Sequence, residues 1–290
     1  MIFTVTLGCA KLSLEEKLMN IKLSTLSTPA LAGVVKSKSV KGAISEIANC
    51  VYGGASMIDL HLSCLERRDR ESLEAIIGYS RLPVLALNYN ATYDGEPAGF
   101  SEEDRAELFI QAIEAGAAGI DMQGYTFDIK SKDGFFGDDK YSFTKGNPKE
   151  VVTDEKIISK QRELIEKAHS MGAEVLLSCH PGIVMSCEQI VDLALFLEKR
   201  SPDIIKIVTV AENENDLIES FKTMLALKRE VKTPVSYHAA GKAGRLSRVV
   251  NPILGGHIAF CVEHYNEGSL MEQPQLHAVK AIIDNANKII

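Results

Sequence analysis

The chain has 290 residues, a net charge of −7 and a pI near 5.6, an acidic balance that argues against nucleic acid or an anionic membrane as its main partner. Its composition, 46% hydrophobic and 24% charged, is that of a globular protein, and a fold of this length buries enough surface to need neither disulfides nor metal. No run approaches the ~18 uninterrupted apolar residues that a membrane helix requires.

Residues 1–30 precede the first strand pattern and are expected to form an extension, a hairpin or a cap. Met1 to Leu12 opens apolar but lacks the basic n-region and long h-region of a signal peptide. Eight short apolar, β-branched runs then follow. They are LAGVVKS (31–37), SMIDLHL (56–62), PVLALNYN (83–90), AGIDMQ (118–123), EVLLSCH (174–180), DIIKIVTV (203–210), PVSYH (234–238) and GHIAFCV (256–262). Helix patterns separate them, as in DLIESFKTMLALK, where Leu217, Phe221 and Leu225 recur at four-residue spacing. In SCEQIVDLALFLEK, Ser186 and Gln189 have the spacing of a capping box.

Strands alternating with helices imply a parallel sheet, because parallel neighbours need a crossover. Eight such units predict a (β/α)8 barrel, one α/β domain over residues 1–290. The competing doubly wound sheet loses because no G-x-G-x-x-G follows an early strand. The stretch from Gly124 to Thr153 has no helical or strand period, and six aromatics lie within it. A loop of that length after the fourth strand is expected to be a lid on the catalytic face. Cys9, Cys50, Cys64, Cys179, Cys187 and Cys261 make no C-x-x-C pair, so reduced thiols and a cytoplasmic location are expected.

Chemistry in such barrels gathers at the C-terminal ends of the strands. His61 ends the second run, Asn88 and Asn90 the third, His180 the fifth and His238 the seventh. Lys206 lies inside the apolar run DIIKIV, where a lysine is costly. It is either a salt-bridged or snorkelling side chain or an amine made nucleophilic by burial. His180 is either a hydrogen-bonded core histidine or a general acid and base. His61, His180, His238 and His257 could in principle ligate a metal, with Asp59, but their spacing matches no ligand motif. The segment GKAGRLSRVVNP (241–252) offers glycines, Arg245 and Arg248 for gripping a carboxylate, or is simply a solvated basic turn.

Taken together, these residues resemble the type I 3-dehydroquinate dehydratase family, Schiff-base enzymes on a (β/α)8 barrel. The S-x-H pattern closing strand five is matched by SCH with His180, and the imine-lysine segment by PDIIKIV with Lys206. The G-x-x-G-x-x-S-R segment is matched by Gly241, Gly244, Ser247 and Arg248. The closing SAPGQ loop survives as Ser269 and Gln273. The departures lie earlier. His61 and Ser63 stand where the family has E-x-R, Asn88, Tyr89 or Asn90 where it has an arginine, and Gln123 where it has a strand-four glutamate.

The resemblance implies a hydro-lyase acting on 3-dehydroquinate or a related cyclic keto-acid, with Lys206 as the imine amine and His180 as acid and base. Arg248, Ser269, Gln273, His61 and Asn90 are the expected substrate contacts, His61 replacing the acid that positions His180. It implies no cofactor, no metal and a homodimer whose partner is a small carboxylated keto-polyol. Two alternatives stand beside it: imine chemistry on another polyhydroxy keto-acid, and a non-catalytic barrel that binds a carboxylated metabolite.

Overall fold

A computed structural model of the protein describes residues 21–89, 99–128, 151–266, 269 and 271–288. Its strands are β1 (Ala30–Val35), β2 (Met57–His61), β3 (Val84–Leu87), β4 (Gly119–Gln123), β5 (Glu174–Cys179), β6 (Ile204–Val210), β7 (Val235–Ala240) and β8 (Ile258–Cys261). All pair in parallel, in the order β7-β6-β5-β4-β3-β2-β1-β8. The two ends of that order meet where His257 N–H donates to the Val235 carbonyl and Ile258 N–H to Ser236 Oγ, both at 2.9 Å. The sheet thereby rounds into the expected (β/α)8 barrel. The crossovers carry α1 (Val40–Tyr52), α2 (Arg70–Tyr79), α3 (Glu102–Glu114), α4 (Glu155–Ser170), α5 (Cys187–Glu198), α6 (Glu214–Glu230) and α7 (Ser247–Ile253), and α8 (Leu276–Ala286) follows β8.

The two-residue period of the strands divides the core in two. Ala30, Ala32, Val34, Met57, Leu85, Leu176, Ile204, Ile258 and Phe260 fill the barrel. Leu31, Val35, Ile58, Leu60, Ile205 and Ile207 face the helices. Continuing the inner set upward along each strand selects the side chains of the mouth: Lys36, Asp59, His61, Tyr89, Ser178, His180 and Lys206.

Several expectations change. The Ser186 capping box forms as predicted at the start of α5. The helix over Leu217, Phe221 and Leu225 also forms, but that stripe is not its buried face. Ser220, Thr223, Met224 and Leu227 point inward, and Leu225 is 40% exposed. The expected N-terminal extension begins outside the described residues. Its visible end, the turn Leu23–Thr25, buries Leu23 completely among the residues that fill the barrel. Most of the expected lid, 129–150, is likewise outside the described residues. Its stems are tied together. Val152 N–H donates to the Gly124 carbonyl at 3.0 Å, and the Gln161 amide donates to the Gly124 and Thr126 carbonyls at 3.0 and 2.8 Å.

A buried arginine locks the ends of β3 and β4 to α3. Arg105, 0% exposed, donates to both Glu102 carboxylate oxygens at 2.9 and 2.8 Å, to the Asn88 carbonyl at 3.0 Å and to Gln123 Oε1. Replacing Arg105 with Met leaves the Glu102 carboxylate buried without its counter-charge, and we expect a loss of about 3–5 kcal/mol in urea unfolding. A change below about 1 kcal/mol would show that the network is slack.

Candidate active site

At the centre of the barrel, Lys206 reaches across from β6 to β4. Its Nζ donates to Asp121 Oδ2 at 3.0 Å, with the two side chains only 7% and 0% exposed. Ser178 of β5 donates to the other oxygen, Oδ1, at 2.5 Å. The ammonium also lies 4.4 Å from the centroid of the Phe260 ring, a favourable cation–π distance. Burial pushes the Asp121 carboxyl above its ordinary range, and the Lys206 charge pulls it back. The lysine is thus salt-bridged, the first of the two options its sequence position allowed.

His180 follows Ser178 on the same face, above Lys206, since Ser178 and Lys206 are register partners. Its Nε2 lies 3.0 Å from the Tyr89 hydroxyl. Tyr89 packs edge-on against His180 at 5.7 Å between centroids and against His61 at 5.9 Å. His61 in turn lies 3.5 Å from Asp59. Among the described residues Tyr89 is thus a contact of His180, and His61 packs against Tyr89. Asn90 lies outside the described residues.

Arg248, in α7, is 8% exposed. Its Nη1 donates to His238 Nε2 at 2.8 Å, which requires that nitrogen to be an unprotonated acceptor. Its Nη2 lies 3.3 Å from Glu272 Oε2. Ser269 bonds within its own loop, its hydroxyl donating to Asn266 Oδ1 at 3.0 Å and accepting from Asn266 N–H at 2.9 Å. Gln273 is 7% exposed, with Oε1 unpaired among the described residues. Ser269 and Gln273 share a small pocket with Lys36, Glu46 and Cys50 beside β1. Burial holds the Lys36 amine below its ordinary value, with the Cys64 and Asp59 charges opposing and Lys206 adding to the shift.

The four histidines weighed as metal ligands have other partners. His257 in particular sits at the opposite end of the barrel, its ring bonded to the Leu23 carbonyl at 2.9 Å and Thr28 at 3.2 Å. It immediately precedes β8, at the end of the barrel away from the mouth. Among the described residues no group of three or more His, Cys, Asp or Glu is placed to hold a metal. Asp121, Lys36, Phe260 and Glu272 are site residues that the motifs did not single out. For Asp121 the signal was available: it lies two residues before Gln123, on the same strand face.

A parallel barrel with an ion-paired lysine buried at its centre and a histidine above it defines a lysine-centred (β/α)8 barrel. The family model of type I 3-dehydroquinase matches residues 143–287, half of the chain, and the chain belongs to that family. A 3-dehydroquinate dehydratase of Desulfotalea psychrophila is 26% identical over 178 residues, 61% of this chain and 65% of that protein. One from Methanosarcina acetivorans is 26% identical over 80% of this chain and 85% of its own length. The chain thus spans just under two thirds of the D. psychrophila relative. The solved type I 3-dehydroquinate dehydratase of Clostridium difficile superposes with a TM-score of 0.71 at 16% identity, covering 91% of this chain and 94% of its own. The enzyme from Geobacillus kaustophilus also gives 0.71, at 12% identity over 92% and 96%. At those identities the superpositions establish the fold. Among the described residues no helix is long and apolar enough to cross a membrane.

Burial, then the Lys206 and Arg248 charges, holds His180 well below its ordinary value of 6.5. Burial, then chiefly Arg248, does the same to His238. Burial also lowers His61, against Asp59. At these three histidines the unfolded chain therefore binds more protons than the folded one below about pH 6.5, and the stability they contribute above that value is lost as the pH falls towards the depressed folded values; Glu46, pushed up to about 7 by burial, acts in the opposite direction. We expect the urea midpoint to drop between about pH 7.5 and about pH 5.5. A His180→Gln, His238→Gln double variant should show a shallower drop; an equal slope would contradict the assignment.

Proposed function

We propose that this protein eliminates water from 3-dehydroquinate to give 3-dehydroshikimate, a step of the shikimate pathway, through an imine on Lys206. The observation that carries the reading is the Lys206–Asp121 pair in a barrel of this family. A buried carboxylate raised by burial can accept the ammonium proton and leave a neutral amine beside the substrate ketone. The amine nitrogen bonds to the ketone carbon, and the ketone oxygen departs as water. The resulting iminium draws electrons from the neighbouring carbon, which loses a proton to neutral His180. His180 then returns that proton to the β-hydroxyl, which leaves as a second water. Hydrolysis of the product imine consumes one water and restores Lys206, so one water is released per turnover.

In this reading Arg248 binds the substrate carboxylate, and Gln273 and Ser269 contact its hydroxyls from the β8 side. His61 and Asn90 belong to the far wall. Tyr89 is a positioning residue: its hydroxyl orients the His180 ring, the task given to an acid in the family. A soluble cytoplasmic homodimer of one barrel domain per chain is part of the same proposal.

A second reading keeps the imine and changes the keto-acid. It is favoured by one observation: the family match starts at residue 143, so His61, Ser63 and Tyr89 all fall outside it. A third, a silent carboxylate-binding barrel, predicts that Lys206→Met leaves ligand binding and its consequences untouched.

The test is turnover followed by the ultraviolet absorbance of the conjugated enone. Lys206→Met should abolish it. Tyr89→Phe should lower kcat by about tenfold to a hundredfold, with a smaller change in KM and a shifted pH profile, as expected for a residue acting through the acid–base group. Turnover of other polyhydroxy keto-acids with none of 3-dehydroquinate would favour the second reading. Turnover surviving in Lys206→Met would end the imine proposal.

A further inference from the structure

The loop between β8 and α8 carries a carboxylate into the grip assigned above to the substrate. Glu272 Oε1 accepts from the Gly241 N–H at 3.0 Å, and Oε2 lies 3.3 Å from Arg248 Nη2. The loop is held there on both flanks. Arg245 Nη2 donates to the Met271 carbonyl at 3.0 Å and the Tyr265 hydroxyl to the Gln273 carbonyl at 2.8 Å. Glu272 stands where the SAPGQ pattern has glycine, so the family loop has no side chain at this position.

Arg248 is only partly used by this contact. Nη1 is committed to His238, while Nε is buried and has no partner among the described residues. Nε and Nη2 project from the same side of a guanidinium and together form the fork that takes a carboxylate bidentately. Glu272 holds one prong of that fork, at a long distance, and leaves the other empty. The Arg248 side chain is 8% exposed and that of Glu272 37%, so the acid can swing out to solvent while the arginine cannot.

We propose that Glu272 is a built-in competitor for the carboxylate subsite, occupying Arg248 in the free protein and giving way to a ligand carboxylate that takes Nε and Nη2 together. The subsite then favours carboxylates that can fill both prongs over monodentate anions. This inference rests on the assignment of Arg248 as the carboxylate grip.

The experiment is calorimetric titration of the full chain with quinate, which carries the carboxylate but no ketone, and with its uncharged amide. Glu272→Gln keeps size and a hydrogen-bond acceptor for Gly241 but gives up the charge; Glu272→Gly restores the family residue. Quinate should bind about tenfold more tightly to both variants, as for a competitor that holds the grip about nine-tenths of the time. Affinity for the amide should be equal in all three proteins. Quinate affinity that is unchanged or weaker in both variants, or absent from all three proteins, overturns the proposal. Borohydride trapping of 3-dehydroquinate on the same variants separates the two ideas. Trapping with unchanged quinate affinity removes only the competitor, and tighter quinate binding without trapping removes only the imine.

Discussion

A charge at the centre of an apolar barrel has to be answered by another charge, and here Asp121 answers Lys206. An ammonium taken out of water costs several kcal/mol unless a well-placed partner and further hydrogen bonds offset it. The barrel supplies them from three successive strands: the lysine from β6, the serine donor from β5 and the carboxylate from β4. Register does the positioning. Gln123 pairs with Ser178 and Ser178 with Lys206, so a one-residue slip would turn one partner towards the helices. The outer ties, such as Arg105 across the ends of β3, β4 and α3, keep that register from drifting.

The mouth above this pair has two unlike halves. The half built by β5 to β8 holds His180, Lys206, Arg248, Ser269 and Gln273, all within the family match. The half built by β1 to β3 holds Lys36, Asp59, His61 and Tyr89, outside it. The proposed imine chemistry draws on the first half, where Lys206, His180 and Arg248 lie. Orientation of His180 and recognition of the far side of a ligand depend on the second, and there a tyrosine hydroxyl and a ring contact replace charged groups. A neutral hydroxyl in place of a carboxylate makes a weaker hydrogen bond to the histidine, since a charged partner is the stronger one. In the proposed mechanism, therefore, kcat rather than imine formation is the quantity sensitive to Tyr89.

The barrel was legible because its eight strands are buried on one or both faces and so read as short apolar runs. Lys206 and His180 were legible because they break such runs. Asp121 was only half legible: strand parity put it on the same face as Gln123, two residues on, but its pairing with a residue 85 positions away appears only in the fold. At the end of the third run, Asn90 and Tyr89 are adjacent in sequence. Counting the inner set by twos from Leu85 selects Tyr89. His257 stands at the start of its run in the sequence and just before β8 in the structure, so its position already set it apart from the three histidines that close their runs. The contact of Glu272 with Gly241 and Arg248 is set by how two loops meet, and no local pattern announces it.

The central claim is that Lys206 forms a covalent bond with a ketone substrate. Intact mass after incubation with 3-dehydroquinate and borohydride tests it most directly, beside a Lys206→Met control. The account predicts a stable increment of one reduced ligand on the unaltered protein, mapped to the peptide containing Lys206, and none on the control. The same increment on the control, or no increment on the unaltered protein at saturating ligand, would contradict it.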